Sequence, residues 1–227
     1  MISKNSIEHN GKKIIYSQLE NSFSITTDSI LLSNFIRIKQ KDKIIIDIGT
    51  GQGLIPILLS TRTSLKIYGV EIQKELSSVA INNVHENNLE KQIEIINDKI
   101  QNYDKYFILH SVDIIVSNPP YFKVIDNFKA NDSLTKTISR HETKLTFDEL
   151  AYCCSKLLRH KGHFYFIHRT ERLVEIIETL KKYKLEPKRL QFIYTNSLKD
   201  APLFLLDAVY CGKEEIKVET PIFLESE

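Results

Sequence analysis

The chain has 227 residues, 42% of them hydrophobic and 26% charged, with a formal net charge of +2. That balance excludes a disordered chain, and a chain of this length buries roughly 70% of its unfolded surface, so it needs no disulfide or metal staple. Thirty-one basic residues against 29 acidic ones exclude a global attraction to nucleic acid, so any such partner must meet a local patch. Met1-Ile2-Ser3-Lys4-Asn5 opens a polar stretch with no apolar signal core, and Ile48–Thr61 is glycine-interrupted and too short to span a bilayer. Three cysteines, including the adjacent Cys153 and Cys154, fall in no metal-ligand spacing and suit a reducing compartment. The expectation is a cytoplasmic α/β protein without metal or membrane segment, one domain over 1–227, its oligomeric state open with a monomer favoured.

In chain order, Lys13–Tyr16 reads as a strand, and a helix runs from about Asp28 to Lys39, with Thr27 or Asp28 as N-cap. This makes 1–42 a strand-and-helix extension to a core over 43–227. From Lys43 short apolar runs alternate with amphipathic stretches, the signature of parallel β/α units. Strands are predicted at 43–48, 66–70, 92–96, 112–117 and 162–168, and helices at 54–62, 74–88, 99–106, 147–160 and 170–183. The first strand is a near-continuous isoleucine run, as expected when both faces are covered. Residues 189–195 and 204–211 predict a terminal antiparallel pair around the turn-like Asn196–Pro202. Residues 121–146 form a long polar connection and are read as a lid candidate.

Four polar groups, Asp47, Glu71, Asp98 and Asn118, fall at or just beyond the ends of four successive predicted strands. In open parallel sheets ligands bind at that edge. Asp47-Ile48-Gly49-Thr50-Gly51-Gln52-Gly53 is a glycine-rich turn, but Leu54 stands where the dinucleotide fingerprint needs glycine or alanine. A carboxylate at its start suits a cationic ligand better than a pyrophosphate. Glu71 is placed to accept ribose hydroxyls and Asp98 to accept from an adenine amino group. The set describes a site for an adenosine with a positively charged tail, and S-adenosylmethionine fits.

Asn118-Pro119-Pro120-Tyr121 closes the fourth predicted strand. Consecutive prolines hold a rigid turn, so the Asn118 amide oxygen and the Pro119 carbonyl can accept both hydrogens of an exocyclic amino group. That geometry orients the nitrogen toward an incoming methyl group without a strong base, and Tyr121 can stack on the planar acceptor.

The segments DIGTGQG, GVEI, IINDKI and SNPPYF resemble, in order and spacing, the class I S-adenosylmethionine-dependent methyltransferases carrying the N-P-P-Y motif. FSITTDSILLSNF (23–35) and SRHETKLTFDEL (139–150) are similar to segments of the bacterial valine-tRNA adenine-N6-methyltransferases, which modify adenine 37 beside the anticodon. The resemblance implies a Rossmann-like fold: a mostly parallel seven-stranded sheet, helices on both faces and an antiparallel terminal strand. It implies Gly49, Thr50 and Gly51 beneath the methionine part of the cofactor and Asp47 near its amino group. Glu71 would hold the ribose, Ile72 and Asp98 the cofactor adenine, and Asn118, Pro119, Pro120 and Tyr121 the target base, with Asn118 also beside the cofactor. Thr27 or Asp28 would close over the cofactor, although a helix cap explains both equally.

A protein glutamine methyltransferase acting on a release factor is the alternative, because an amide nitrogen poses the same problem at N-P-P-Y. An adenine-N6 enzyme for another RNA or for DNA is a further one. Candidate contacts to tRNA are Lys123, Lys129, Arg140 and His141 in the long connection, and Lys181, Lys182, Lys184, Lys188 and Arg189 near the C-terminus. The same residues also read as a solvated loop and a wet helix end. No histidine has partner spacing for metal or triad chemistry.

Overall fold

Isoleucines 45, 46 and 48, all buried, drive β3 (Ile44–Ile48) into the middle of a sheet covered on both faces. The computed structural model describes residues 2–19, 27–119, 145–196 and 200–224. Flanking β3 are β4 (Lys66–Val70), β5 (Ile93–Ile96), β6 (Val112–Ser117) and β7 (Leu158–Arg169), then β8 (Leu185–Tyr194) and β9 (Leu203–Tyr210). The order is β8-β9-β7-β6-β3-β4-β5, and β9 alone of these runs antiparallel to its neighbours. This is the predicted seven-stranded core. Two two-residue strands, β10 (Lys217–Val218) and β11 (Ile222–Phe223), pair parallel with the open edge of β8 and extend the sheet to nine.

One face of the sheet packs on α1 (Thr27–Phe35) and α2 (Leu54–Ser60), whose Leu32, Phe35, Leu58 and Leu59 meet Ile45, Ile114 and Tyr165. The opposite face packs on α4 (Phe147–Leu157) and α5 (Leu173–Lys182) around Phe164, Phe166 and Phe204. Between β4 and β5 lies α3 (Lys74–Glu86).

Several predicted boundaries are corrected. The first helix stops at Phe35 rather than Lys39, because the Arg62 guanidinium takes the carbonyls of Ser33 and Ile36 and a turn at Lys39–Asp42 follows. Thr27 therefore sits inside the first turn of α1, not at its N-cap. Residues 99–106 form a short 3-10 turn, Ile100–Lys105, rather than an α-helix. The helix predicted to reach His160 ends at Leu157, since Leu158 is already extended and pairs with Val112.

The predicted strand Lys13–Tyr16 is one arm of an N-terminal hairpin whose other arm was not predicted. β1 (Ile2–His9) pairs antiparallel with β2 (Lys12–Leu19). Asn10 and Gly11 turn at φ +49° and +72°, the two left-handed positions of a tight hairpin turn. Side-chain amides then seat β2 on α3. Asn83 pairs with the Ser17 amide and carbonyl at 2.6 and 3.0 Å, and Asn87 with those of Ile15 at 3.1 and 2.6 Å.

Candidate active site at the strand ends

The register of the parallel strands gathers the predicted groups at one edge. Ile48 lies opposite Val70 on β4 and Ser117 on β6, and Val70 lies opposite Ile96 on β5. The next residues out are therefore Gly49, Glu71, Asn97 and Asn118. Ser117 Oγ donates to the Ile48 carbonyl at 2.8 Å and stitches two of the strand ends together. The Gly49 and Thr50 amides both donate to the Val70 carbonyl, at 2.9 and 3.1 Å, folding the glycine turn across β4.

Gly49 and Gly51 take φ of +72° and +57°, and a Cβ on either would meet nothing within 4 Å. The turn presents bare backbone to open space, as close approach of a ligand requires. Behind it Asp47 is fully buried, and neither carboxylate oxygen has a hydrogen-bond partner; Thr50 Oγ1 is likewise unmatched. Burial pushes the Asp47 carboxyl up to about 7, with the nearby Thr50 hydroxyl tempering the rise and Glu71 adding to it. A buried acid without donors is costly unless something completes it. A ligand carrying a cationic amino group supplies what is missing, so these residues fit S-adenosylmethionine.

Glu71, 5% exposed, accepts from the Gly51 amide at 3.0 Å on one oxygen and from the Gln73 amide at 2.8 Å on the other. It thus ties the turn to β4 and keeps acceptor capacity on both oxygens. Beside it Ile72 is 40% exposed, an apolar surface at the same edge. Asp98 is more occupied than predicted. It accepts from the Lys99 amide and Asn102 on one oxygen, and from the Tyr106 hydroxyl and Lys105 on the other. Those donors, Tyr106 first, hold its carboxyl down near 2. The Lys105 contact is the longest of the four, at 3.4 Å.

Asn118 and Pro119 follow β6 half-buried, and Thr27 begins α1 exposed. Pro120, Tyr121, Lys123, Lys129, Arg140 and His141, with most of the 121–146 connection, lie outside the described residues. The structure divides the C-terminal basic run. Lys181, Lys182 and Lys184 sit at or just before the start of β8, at the sheet edge opposite the strand-end groups. Lys182 pairs with Asp148 at 2.6 Å, Lys181 lies 3.6 Å from Glu214, and Lys188 lies 3.9 Å from Glu215. Arg189 is buried, forked onto Glu219 at 2.9 and 3.0 Å and seated over the Phe35 ring. It has no free fork for a phosphate.

No partner spacing marks His168 in the sequence, yet it stands one residue before the end of β7 beside the site, two residues beyond the Phe166 that pairs with Ser117. Burial and then Arg172 lower its pKa to about 4. Its signal was the alternation Phe164-Phe166-His168, which sets it on the phenylalanine-lined face.

Residues 30–161 match the family model of the RMKL-like methyltransferase domain. A predicted O-methyltransferase from Agrobacterium tumefaciens has the same fold, with a TM-score of 0.69 at 16% identity over 87% of this chain and 88% of that one. Geranyl diphosphate methyltransferase in complex with S-adenosylmethionine aligns with a TM-score of 0.57 at 11% identity over 80% and 84%. Fold and strand-end site define a class I methyltransferase that uses S-adenosylmethionine. The tRNA1(Val) (adenine(37)-N6)-methyltransferase of Aliivibrio salmonicida is 30% identical over 81% of this chain and 76% of its own, and that of Cytophaga hutchinsonii 28% identical over 83% and 77%. The chain belongs to the tRNA1(Val) (adenine(37)-N6)-methyltransferase family. No helix among the described residues is long and apolar enough to cross a membrane, and no metal-binding group of acids, histidines and cysteines occurs among them.

Proposed function

We propose that this protein methylates N6 of adenine 37 in a valine tRNA, in the cytoplasm. The observation that carries the reading is the adjacency of the glycine turn and the Asn118-Pro119 turn, which leave neighbouring parallel strands at equal height. S-adenosylmethionine, when bound, supplies a methyl group made electrophilic by its sulfonium sulfur. Asp47, Gly49, Thr50 and Gly51 hold its amino-acid part, Glu71 its ribose, and Ile72 and Asp98 its adenine. The Asn118 amide oxygen and the Pro119 carbonyl accept the two hydrogens of the target amino group, with Pro120 and Tyr121 completing that pocket. Fixing both N–H bonds turns the nitrogen lone pair outward, and the proton becomes acidic only as the new bond forms. Extruding a base from an RNA loop costs less than from a duplex.

The test is nucleoside mass spectrometry of valine tRNA incubated with enzyme and S-adenosylmethionine, beside tubes holding release factor or duplex DNA. N6-methyladenosine in the tRNA alone is expected, and an Asn118→Ala variant should bind cofactor yet transfer no methyl group. Methylated glutamine in the release factor, or full transfer by Asn118→Ala, would overturn the reading.

A further inference from the structure

The link between α1 and β3 reads Arg37-Ile38-Lys39-Gln40-Lys41-Asp42-Lys43, with all four of its cations exposed. Its one acid is withdrawn from the surface. Asp42 is 5% exposed, accepts from the Lys39 amide at 2.7 Å and pairs with Arg159 at 3.2 Å. Beside this link lies a cleft of about 330 Å³, rimmed by Lys39, Lys188 and Lys217.

The floor of the cleft has its acids matched internally. His163 Nδ1 faces Asp207 at 2.8 Å, Arg189 stands 3.7 Å from the same carboxylate, and Glu219 is held by Arg189 and by Arg37 at 2.9 Å. Lys39 Nζ donates to His163 Nε2 at 2.8 Å, a bond that brings no countercharge. On the rim, among the described residues, Glu215 faces the lysines, largely exposed and 3.9 Å from Lys188, and Glu219 lies near Lys217. The face is therefore positive in a chain whose total is only +2. Its cations are strung along a loop and two strands rather than converging on a point, which suits a chain of phosphates better than one small anion. Lys217 and Arg189 share a register row with Asp47 through β9, β7 and β6, so the rim on β8 and β10 is displaced sideways from the strand-end site by four to five strand spacings, roughly 20 Å.

We propose that this cleft binds the phosphodiester backbone of the RNA substrate at a distance from the methylated nucleotide. The inference rests on the RNA-methylating reading above.

The experiment compares wild type with a Lys39→Gln, Lys188→Gln, Lys217→Gln triple variant and a Lys181→Gln, Lys182→Gln control on the opposite side of the sheet. tRNA affinity is measured against sodium chloride concentration, with kcat, tRNA KM and the Kd for S-adenosylmethionine alongside. Loss of three phosphate contacts should weaken tRNA binding about tenfold or more and lower the log–log salt slope by roughly 2 to 3. Cofactor Kd and kcat at saturating tRNA should hold, and the control should match wild type. A triple variant with the wild-type affinity and slope would overturn the cleft and leave the methylation reading intact. A control that loses as much as the triple variant would overturn it too, as a general charge effect. A wild type that neither binds nor methylates RNA would fell both.

Discussion

The side-chain amide of Asn83 on α3 donates at 2.9 Å to the main-chain carbonyl of Gln52, inside the glycine turn. The Gln52 side chain in turn accepts from the Leu19 amide at 3.0 Å, so helix, hairpin and turn meet at one residue. Asn83 therefore holds the turn from behind without facing its open side. Asn83→Asp, which replaces the donor by an acceptor of equal size, should raise the Kd for S-adenosylmethionine about tenfold and leave kcat at saturating cofactor nearly unchanged. Asn87→Ala removes hairpin bonds without touching Gln52, so it should lower Tm alone. Calorimetric titration of both variants decides, and equal cofactor losses would mean that the hairpin as a whole is responsible.

The two glycines at 11 and 51 offer a matched pair. Both have positive φ and open space where a Cβ would go. Alanine at either should cost about 1–2 kcal/mol of backbone strain, a few degrees in Tm for a chain of this size. Gly51→Ala should also lose cofactor binding, because its methyl enters the space over the turn. Gly11→Ala should keep it, as a titration of both proteins with S-adenosylmethionine can show.

Asp47 should trade stability for binding. Its carboxyl has an ordinary value of 3.8 and a folded value of about 7, so between these limits the folded state holds more protons than the unfolded one. Stability is then lost as pH rises through that window. Asp47→Asn should stabilise the ligand-free protein by roughly 2–4 kcal/mol at pH 8 and by little at pH 4, while cofactor affinity falls steeply. Urea midpoints at both pH values test this, and a gain independent of pH would contradict it.

His168 works in the opposite direction. With its folded pKa lowered from 6.5 to about 4, it favours the folded state above 6.5, and that stability is lost as pH falls through 4. The two slopes oppose each other between pH 4 and 6.5. Wild type should therefore look flat there, and His168→Gln should expose the Asp47 slope, with urea stability rising as the solution is acidified. An unchanged flat profile would refute the pairing.

Strand-end chemistry was legible because it is local. An isoleucine run, a glycine turn and Asn-Pro-Pro each encode their own geometry, and the parallel sheet brings them into line. The hairpin was less so, although Asn10-Gly11 marked its turn. β1 buries one residue in eight, His9, and β2 only Ile14, with side-chain amides fastening it to α3. The C-terminal basic run was legible only in part, because strand alternation sends Arg189 inward and leaves Lys188 at the rim, which spacing on a predicted helix end cannot show. Its neutralising acids come from residues 148, 214, 215 and 219, distant in the chain or on the edge strap. The cationic link 37–43 was hidden by Asp42, whose burial no composition count reveals.

The hairpin also sets an order of assembly. Its seating bonds join Ile15 and Ser17 to side chains 72 and 66 positions later. A two-stranded hairpin is marginal in water by itself, and this one is made before its helix during synthesis. Its seating amides find their partners once α3 has been formed on the sheet, so a segment made ahead of its helix is late to become protected. Hydrogen exchange pulsed during refolding would find its amides slow to close, behind those of β3 and β6.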